Sequence, residues 1–405
     1  MSLPSDQAMP GAALRAQLDR LQVRSLWIGV VGLALCVAGA LMWPHRFYAA
    51  YLVGFLFWIG IALGSLGITM LHHLVGGSWG LPVRRPIEAG AMTLLPLAVL
   101  FLPVAFNLPI LYPWARPEEV RLDEDLYRKT AYLNVSFFLI RTLVYFAVWI
   151  LFAFLLRRWS RAQDETTDPA PSRWLQQMSG PGLVLLFLTG TFAAIDWGMS
   201  LEPNWASTIY GTMLIVGEAL STLALMIVVA IMLAVDRPMN ETATPARLHD
   251  LGNLMLAFVM LWAYMAFSQF LIIWAGDLSE EIPWYLRRTH GGWQWIALFL
   301  ITFHFFLPFF VLLFRESKRQ SRLLLRVACL VIVMHVVDLA WLVIPASADV
   351  ASPRIPWGDL PLILAAITGI GGIWVATFVW YLKGEPLIPL NSPDVALTLE
   401  PAGGH

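Results

Sequence analysis

The sequence predicts an all-α integral membrane protein with about ten transmembrane helices, and three observations lead to this fold class. Hydrophobic residues make up 59% of the 405 residues and charged residues only 13%, whereas a soluble domain carries roughly 25% charged residues. Mean hydropathy is +0.69. The apolar residues also fall into blocks of about 20, the length that crosses about 30 Å of hydrocarbon. We therefore expect the chain to cross a bilayer repeatedly.

The apolar blocks and their polar flanks predict ten helices in chain order. Their ranges are 25–43, 48–73, 86–108, 131–156, 180–197, 206–235, 249–275, 292–314, 322–345 and 359–382. The polar start is too long for a signal peptide and no small-residue cleavage site follows the first block, so we expect the first helix to be retained. The stretch 159–178, rich in Ser, Gln, Asp, Thr and Pro, is predicted to be a flexible linker between the fourth and fifth helices.

An even number of helices places both ends of the chain on one side of the membrane, and the basic residues indicate which side. Roughly sixteen Lys and Arg residues fall on the side of the ends and eight on the opposite side. The excess marks the cytoplasmic side. We therefore predict cytoplasmic tails over 1–24 and 383–405, around a multi-pass membrane domain over 25–382.

Composition and motifs exclude several classes of function. A net charge of -1 shows no bias toward nucleic acid. Cys36 and Cys329 lie in apolar blocks without a CxxC partner, so the chain lacks the pattern of a zinc site, a disulfide framework or a cysteine-ligated iron–sulfur cluster. We expect no metal or haem to be bound by this chain, and if electrons enter it, another subunit supplies them. Phosphate-binding loops and nucleophile elbows are also absent from the sequence.

Polar residues within the predicted spans are the candidates for function, because a charge at membrane depth costs several kcal/mol and normally faces the bundle interior or a water-filled path. They form two groups. The group near the cytoplasmic side comprises His72, His73 and Glu88, and the group from mid-membrane outward comprises Arg141, Asp196, Glu218, Tyr264, Ser268, Gln269, His304, His335 and Asp338.

Three of these features predict proton handling. Glu218 lies near mid-membrane with no basic residue at helical spacing on its own helix, which is the sharpest functional signal in the chain. His335 and Asp338 are three residues apart and share a helix face, where the carboxylate fixes the imidazole tautomer. His304 lies four residues before Pro308, which removes a backbone hydrogen bond and favours a kink. A structural role stays open for each of them.

For the remaining charged residues, both a structural and a functional role are compatible with the sequence. Arg141 needs a counter-ion at its depth, and either Asp196 or Asp338 would supply it in a buried ion pair without function. His72 and His73 would form the mouth of a proton path with Glu88, although one of two histidines so near the interface is also expected to snorkel into water. His304 and His335 on different helices would also suit a bis-histidine haem b.

Three stretches together resemble a known family. They are 196–211 (DWGMSLEPNWASTIYG), 262–288 (beginning WAYMAFSQFLIIW and ending PWYLRR) and 304–319 (beginning HFFLPFF and ending in basic residues). In this order they resemble the second large membrane subunit of bacterial alternative complex III, a quinol:electron-acceptor oxidoreductase, within the polysulfide-reductase-type membrane subunits. The resemblance implies two four-helix bundles, about 48–197 and 206–345, with the first and tenth helices peripheral.

The resemblance also implies the function. Such a chain is a non-autonomous subunit of a respiratory quinol:cytochrome c oxidoreductase, whose iron–sulfur subunit, c-type haem subunits and sister membrane subunit are its partners. Its own share would be quinone binding (menaquinol or ubiquinol), proton conduction, or both. Quinol oxidation needs aromatic walls and groups that accept protons. The candidates for quinone binding are Tyr264, Gln269, His335 and Asp338, and those for a proton relay are Glu218, His304, His335, Asp338, Arg141, Asp196, Glu88 and His72.

The sequence differs from the pattern of the family that it resembles at two positions, and it is also compatible with two other functions. Ala206 stands where a larger aromatic residue is expected, which would loosen a pocket at that corner, and Glu202 stands where Asp is expected. A secondary transporter also places carboxylates at mid-membrane, with broken helices and an inverted repeat as its signature. The third reading is a b-type haem membrane anchor, which an absorption spectrum would identify.

Overall fold

A computed structural model describes residues 8–347 and 354–392, and within these residues the chain is helical without any β-strand. Ten helices in the described part are long and apolar enough to cross a membrane, which confirms the predicted fold class. In chain order they are α1 (Ala12–Met42), α2 (Pro44–Val75), α3 (Arg84–Phe106), α4 (Val135–Glu165), α5 (Ala170–Leu201), α6 (Tyr210–Leu233), α7 (Pro245–Gly276), α8 (Trp293–Leu313), α9 (Ser321–Ala346) and α10 (Trp357–Leu382).

Several helices extend beyond the predicted spans, and the predicted flexible linker at 159–178 is wrong. Helix α4 continues to Glu165 and α5 begins at Ala170, so only 166–169 connect them. Polar side chains end an apolar block but do not end a helix, which needs a breaker or a cap. Ser160 and Gln163 are buried on this extension, where arginines at the start of α3 donate hydrogen bonds to them.

The predicted tails are also partly structured. Helix α1 begins at Ala12, and Leu14 and Leu18 are buried on it, so the predicted tail over 1–24 is helical from Ala12 onward. At the other end, the backbone N–H of Leu387 donates to the carbonyl of Ala8 over 2.8 Å, which places the two described ends together. The rest of both predicted tails, 1–7 and 393–405, lies outside the described residues.

Helix α2 is the centre of the packing, with 83% of its most apolar window buried inside the protein. It contacts α3, α5, α6, α9 and α10. Glycines permit this close approach: a Cβ on Gly60 would lie 2.6 Å from Glu218 Cγ, and one on Gly54 would lie 2.9 Å from the Cβ of Ala366. Small residues let transmembrane helices pack at short range, where dispersion contacts replace the missing hydrophobic driving force.

The first and last helices form a pair. Helix α1 packs chiefly against α10, and a Cβ on Gly32 would lie 2.5 Å from the Cα of Gly369. Helix α10 in turn lies against α2. Helices α4 and α5 contact each other, as do α6, α7 and α9, while α2 contacts members of both sets. The division into two four-helix bundles stays a prediction.

Two of the ten helices are irregular within their membrane-spanning length. Helix α3 consists of three short helical pieces, Arg84–Ala91, Leu94–Leu100 and Leu102–Phe106, and Pro96 and Pro103 lie in the second and third. Helix α8 contains a π-helical turn at Ile301–Phe306. Pro308 follows that turn and has no N–H to donate to the carbonyl of His304. The kink signal at His304 therefore corresponds to a local change of helix type.

Candidate functional site

A cavity of about 780 Å³ lies among α7, α8 and α9 and the short helix Ile282–Thr289. Its walls are mainly aromatic: Trp262, Tyr264, Phe267, Phe270, Trp284, Tyr285, Phe305, Phe306, Phe309 and Trp341. Tyr264 and Phe267 on its edge are 64% and 61% exposed, so the cavity is open toward the lipid-facing side of the bundle. Its size and its aromatic walls suit a flat ring with an apolar tail.

Few polar groups enter this cavity, and the main one is a buried carboxyl. Asp338 lines it and accepts a hydrogen bond from the indole N–H of Trp262 over 3.1 Å. Gln269, also buried, lies beside the hydroxyl of Tyr285. Burial raises the pKa of Tyr285 above its ordinary value, against the opposing effects of Arg288 and Gln269, so the hydroxyl stays protonated and able to donate. The cavity therefore holds one carboxyl group, together with the amide of Gln269 and the hydroxyls of Tyr264, Tyr285 and Thr289.

Two buried imidazoles lie behind Asp338, away from the cavity. The Nδ1 atom of His335 is 4.0 Å from Oδ2 of Asp338, near enough for ion pairing but too far for a hydrogen bond. The ring centroid of His304 is 6.3 Å from that of His335, and it stacks on Trp262 at 4.2 Å. Neither imidazole lines the cavity. Counting away from the cavity, the three side chains lie in the order Asp338, His335 and His304.

The local backbone explains how these side chains fit together. His335 packs against α6 at Gly217, where a Cβ would lie only 2.8 Å from its Cε1 atom. His304 lies in the π-helical turn of α8. Such turns are frequent at functional sites because they re-aim a side chain within an otherwise regular helix. Within residues 8–347 and 354–392, neither ring nitrogen of His335 has a hydrogen-bond partner, which is unusual for a buried polar side chain.

Glu218 lies next to Gly217 in sequence but faces a different space. It packs on Gly60 of α2 and lines a second cavity of about 160 Å³, whose other walls include Leu186 of α5 and Phe258 of α7. In the described part of the chain no ion pair or hydrogen bond neutralises its carboxyl group. The structure therefore leaves Glu218 unpaired, as the sequence predicts, but does not bring it into the cavity with Asp338.

Arg141 and Asp196 form a separate, fully satisfied ion pair between α4 and α5. The guanidinium donates to both carboxylate oxygens over 2.8 and 2.9 Å, and the hydroxyl of Tyr145 donates to the same carboxylate over 2.8 Å. A third guanidinium nitrogen donates to the carbonyl of Tyr132. Of the two counter-ions considered for Arg141, the structure places Asp196 there. Asp196 is wholly buried and its acceptors are occupied, as in a structural ion pair.

The candidates that the sequence predicts near the cytoplasmic side also belong to a paired network. Glu88 accepts from Arg84 over 3.1 Å, from Arg85 over 2.7 Å and from the hydroxyl of Ser160 over 2.8 Å. His72 is buried and its Nε2 atom lies 3.2 Å from the carbonyl of Gly77, so it does not reach into water. The geometry at Glu88 is that of a clamp between α3 and α4.

The sequence gives no signal of the role that several residues play in shaping the cavity. Trp262 supplies the hydrogen bond to Asp338, although indole side chains carry no period or spacing that marks a donor. Arg288 donates to Glu202 over 2.8 Å and to the carbonyls of Trp341 and Leu342, and Arg287 donates to the other oxygen of Glu202 over 2.6 Å. This clamp holds the short helix Ile282–Thr289 against α9 at the edge of the cavity.

Glu202 and Ala206, the two positions at which the sequence differs from the pattern of the family that it resembles, lie near each other in the chain. Glu202, where Asp is expected, reaches both arginines of the clamp, which the longer side chain permits. Ala206 lines a cavity of about 230 Å³ together with Tyr132, Trp205 and Met199. The predicted loosening at that corner therefore corresponds to open space. In comparisons with known proteins, no family model matches this chain, and no curated protein matches it.

Proposed function

We propose that this protein is a membrane subunit of a respiratory quinol:cytochrome c oxidoreductase and that it binds the quinol in the cavity among α7, α8 and α9. One observation carries the proposal: a cavity of about 780 Å³ with aromatic walls, open toward the bilayer, ends at a buried carboxyl group. A quinol is a lipid-soluble aromatic ring with two hydroxyl groups, and both parts find a matching surface there.

The proposed chemistry follows from the groups at the closed end. Oxidation of a quinol to a quinone releases two electrons and two protons. Asp338 in its ionised form accepts a hydroxyl proton, and His335 at 4.0 Å provides the next acceptor. The two electrons leave to a redox centre of a partner subunit, since the two cysteines of this chain form no cluster motif. The indole of Trp262 holds the carboxyl of Asp338 in place.

The proposal includes the assembly and its surroundings. The partners are an iron–sulfur subunit, c-type haem subunits and a sister membrane subunit, in a bacterial inner membrane with both termini in the cytoplasm. The substrate is menaquinol or ubiquinol. His335 and His304 continue the proton path away from the cavity, and Glu218 serves a separate step. Arg141, Asp196, Glu88 and His72 are better explained as structural, because hydrogen bonds or ion pairs occupy their polar groups.

Two alternatives make different predictions. A transporter would also use Asp338 and Glu218, and the broken α3 and the π-helical turn of α8 resemble the interrupted helices of such proteins. A haem between His304 and His335 would need a porphyrin-sized slot, but neither ring lines the large cavity. An absorption spectrum separates the haem reading from the others.

The decisive experiment is purification from the native membrane in mild detergent, followed by identification of the co-purifying subunits and extraction of bound quinone. We expect iron–sulfur and c-type haem subunits and about one quinone per chain. Ala297→Trp, which places a large ring in the cavity, should lose the quinone while the subunits still assemble. Recovery of the chain alone, without redox subunits or quinone, would promote the transporter.

Asp338→Asn tests the chemistry within the same preparation. It keeps the shape of the side chain, so quinone should stay bound while quinol-dependent turnover falls by roughly 10²–10⁴-fold, the usual contribution of a general base. The matched control is Asp277→Asn, an exposed residue after α7 whose left-handed backbone asparagine tolerates. Wild-type turnover in Asp338→Asn would contradict the assignment of this carboxyl as the proton acceptor.

A further inference from the structure

A second large groove lies apart from the aromatic cavity, among α3, α4 and α10. Its volume is about 1030 Å³, and its lining differs from that of the aromatic cavity. One part is apolar, with Leu95, Ile150 and Phe154. The other part carries three arginines on α4, at the side of the membrane where the described ends of the chain meet: Arg157, Arg158 and Arg161. The groove is thus apolar toward the membrane interior and basic toward its surface.

Arg157 is held in a fixed position at the basic end. Its Nη2 atom lies 2.7 Å from Oε1 of Glu385, and its guanidinium packs over the ring of Tyr381 at 4.2 Å. Its Nη1 atom is buried and, within residues 8–347 and 354–392, has no hydrogen-bond partner. Because this nitrogen has almost no accessible surface, Arg157 contributes its positive charge to the basic end of the groove rather than a hydrogen bond to a ligand.

The charges in the groove favour an anion with a single negative charge. Arg161 shares Glu385 with Arg157 over 3.3 Å, and its side chain is 59% exposed. Glu165 lies at the rim. Three guanidinium groups against two carboxylates leave one positive charge, which one phosphodiester group neutralises. A zwitterionic headgroup would bring an additional ammonium beside the arginines, where like charges repel.

The apolar part of the groove indicates that the anion carries acyl chains. Leu95, Phe154 and Trp380 are 57%, 55% and 56% exposed, on helices that span the membrane. Free phosphate would use only the basic end and leave this surface uncovered. Acyl chains along it would extend in the direction of the bilayer, with the headgroup at the level of the arginines.

We propose that this groove is a binding site for an anionic phospholipid of the phosphatidylglycerol type. The phosphate accepts hydrogen bonds from Arg158 and Arg161 beside the fixed charge of Arg157, and the acyl chains lie on Leu95, Ile150 and Phe154. The lipid joins α3, α4 and α10, whose mutual packing otherwise leaves a groove of this size. The inference does not depend on the quinol chemistry, since the two cavities share no lining residue.

The test uses the full-length protein in native mass spectrometry and in nanodiscs of defined composition. The probes are phosphatidylglycerol, phosphatidylethanolamine with the same acyl chains, and inorganic phosphate. We expect retention of one phosphatidylglycerol that the other two probes do not displace. Each of the substitutions Arg158→Gln and Arg161→Gln removes the attraction of one surface arginine for the anionic headgroup. The double variant should therefore bind phosphatidylglycerol about 10–30-fold more weakly. Arg157 is left unchanged because it packs on Glu385 and Tyr381.

The matched control removes the same charge elsewhere on the same side. Arg319→Gln combined with Arg322→Gln alters two exposed residues around the start of α9, outside the groove, and should leave the lipid in place. Four outcomes would overturn the proposal, and the first three are equal retention of phosphatidylethanolamine, full binding by the Arg158 and Arg161 variant, and a partner helix in the groove of the purified complex. Displacement by inorganic phosphate would show an anion site without lipid specificity and would equally overturn it.

Discussion

The ionisable residues between α4 and α5 and those among α6, α8 and α9 are similar in type and depth but opposite in environment. Asp196 accepts two hydrogen bonds from Arg141 and one from Tyr145, so every charge there has a partner. Asp338 accepts one bond from a neutral indole, and the nearest imidazole is 4.0 Å from it. One region uses buried charge to join helices, and the other leaves its titratable groups unsatisfied beside a cavity.

The comparison shows how burial alone fails to identify a functional residue. Asp196 and His335 are both almost completely buried. Removing one member of a satisfied pair strands the other charge, whereas neutralising an unpaired group removes a cost. Stability measurements therefore distinguish the two regions. Ion-paired residues should be costly to neutralise, and residues kept for proton transfer should be cheap or even favourable to neutralise.

The largest effect is expected from Asp196→Asn. It leaves the buried guanidinium of Arg141 without a counter-ion, and we expect a loss of about 3–5 kcal/mol in unfolding free energy, seen as a lower thermal midpoint in detergent. The matched control is Arg141→Met combined with Asp196→Leu, which removes both charges and should recover most of the loss. If the single variant were as stable as the wild type, the ion pair would not be the element that joins α4 to α5.

A smaller effect of the same kind is expected from Glu88→Gln. The substitution removes the charge that Arg84 and Arg85 share, but Arg85 keeps an ion pair with Asp164. We therefore expect a loss of about 2–3 kcal/mol, the range for a hydrogen bond to a charged group plus a stranded donor. Thermal unfolding measures it, with Glu124→Gln in the exposed pair with Arg128 as the control, where less than about 1 kcal/mol is expected. Equal losses in both variants would contradict the clamp.

The same two regions show which structural features can be predicted from the sequence and which cannot. The number and type of the helices follow from the sequence because each crossing needs its own apolar block. Their ends do not, since α4 continues as a helix through polar residues to Glu165. That Arg141 requires a carboxylate is evident from its depth, but the choice of Asp196 over Asp338 depends on how α4, α5 and α9 pack. Helix packing is not encoded in the spacing of residues on one helix.

The candidate site shows the same limit. Tyr264, Gln269 and Asp338 were selected by residue type and depth, and the structure places all three on one cavity. Their companion His335 lies behind Asp338 because Gly217 on α6 leaves it room there. Such a contact depends on the absence of a side chain on a distant helix. The hydrogen bond from Trp262 likewise had no sequence signal, because indoles are common throughout this chain.

Gly217→Ala tests the region around His335 and Asp338 by adding a methyl group without changing any charge. The new Cβ would lie 2.8 Å from Cε1 and 3.2 Å from Nδ1 of His335, so the imidazole must move. We expect a loss of about 1–3 kcal/mol from overpacking, together with slower quinol-dependent turnover. Gly180→Ala on α5 is the control, since its Cβ would meet no atom within 4 Å and should leave turnover unchanged. Unchanged turnover in Gly217→Ala would argue against a role for the position of His335.

The smallest effect on stability is expected from Glu218→Gln, and its small size is the informative result. Glu218 is 7% exposed, and no described residue pairs with its carboxyl group. Glutamine keeps the shape and the polarity of the side chain at the 160 Å³ cavity and strands no counter-ion, so the unfolding free energy should change by less than about 1 kcal/mol. If Glu218 carries protons, the variant should fold normally and lose proton release coupled to quinol oxidation in vesicles. A loss as large as that of Asp196→Asn would instead reveal a hidden counter-ion and place Glu218 among the structural charges.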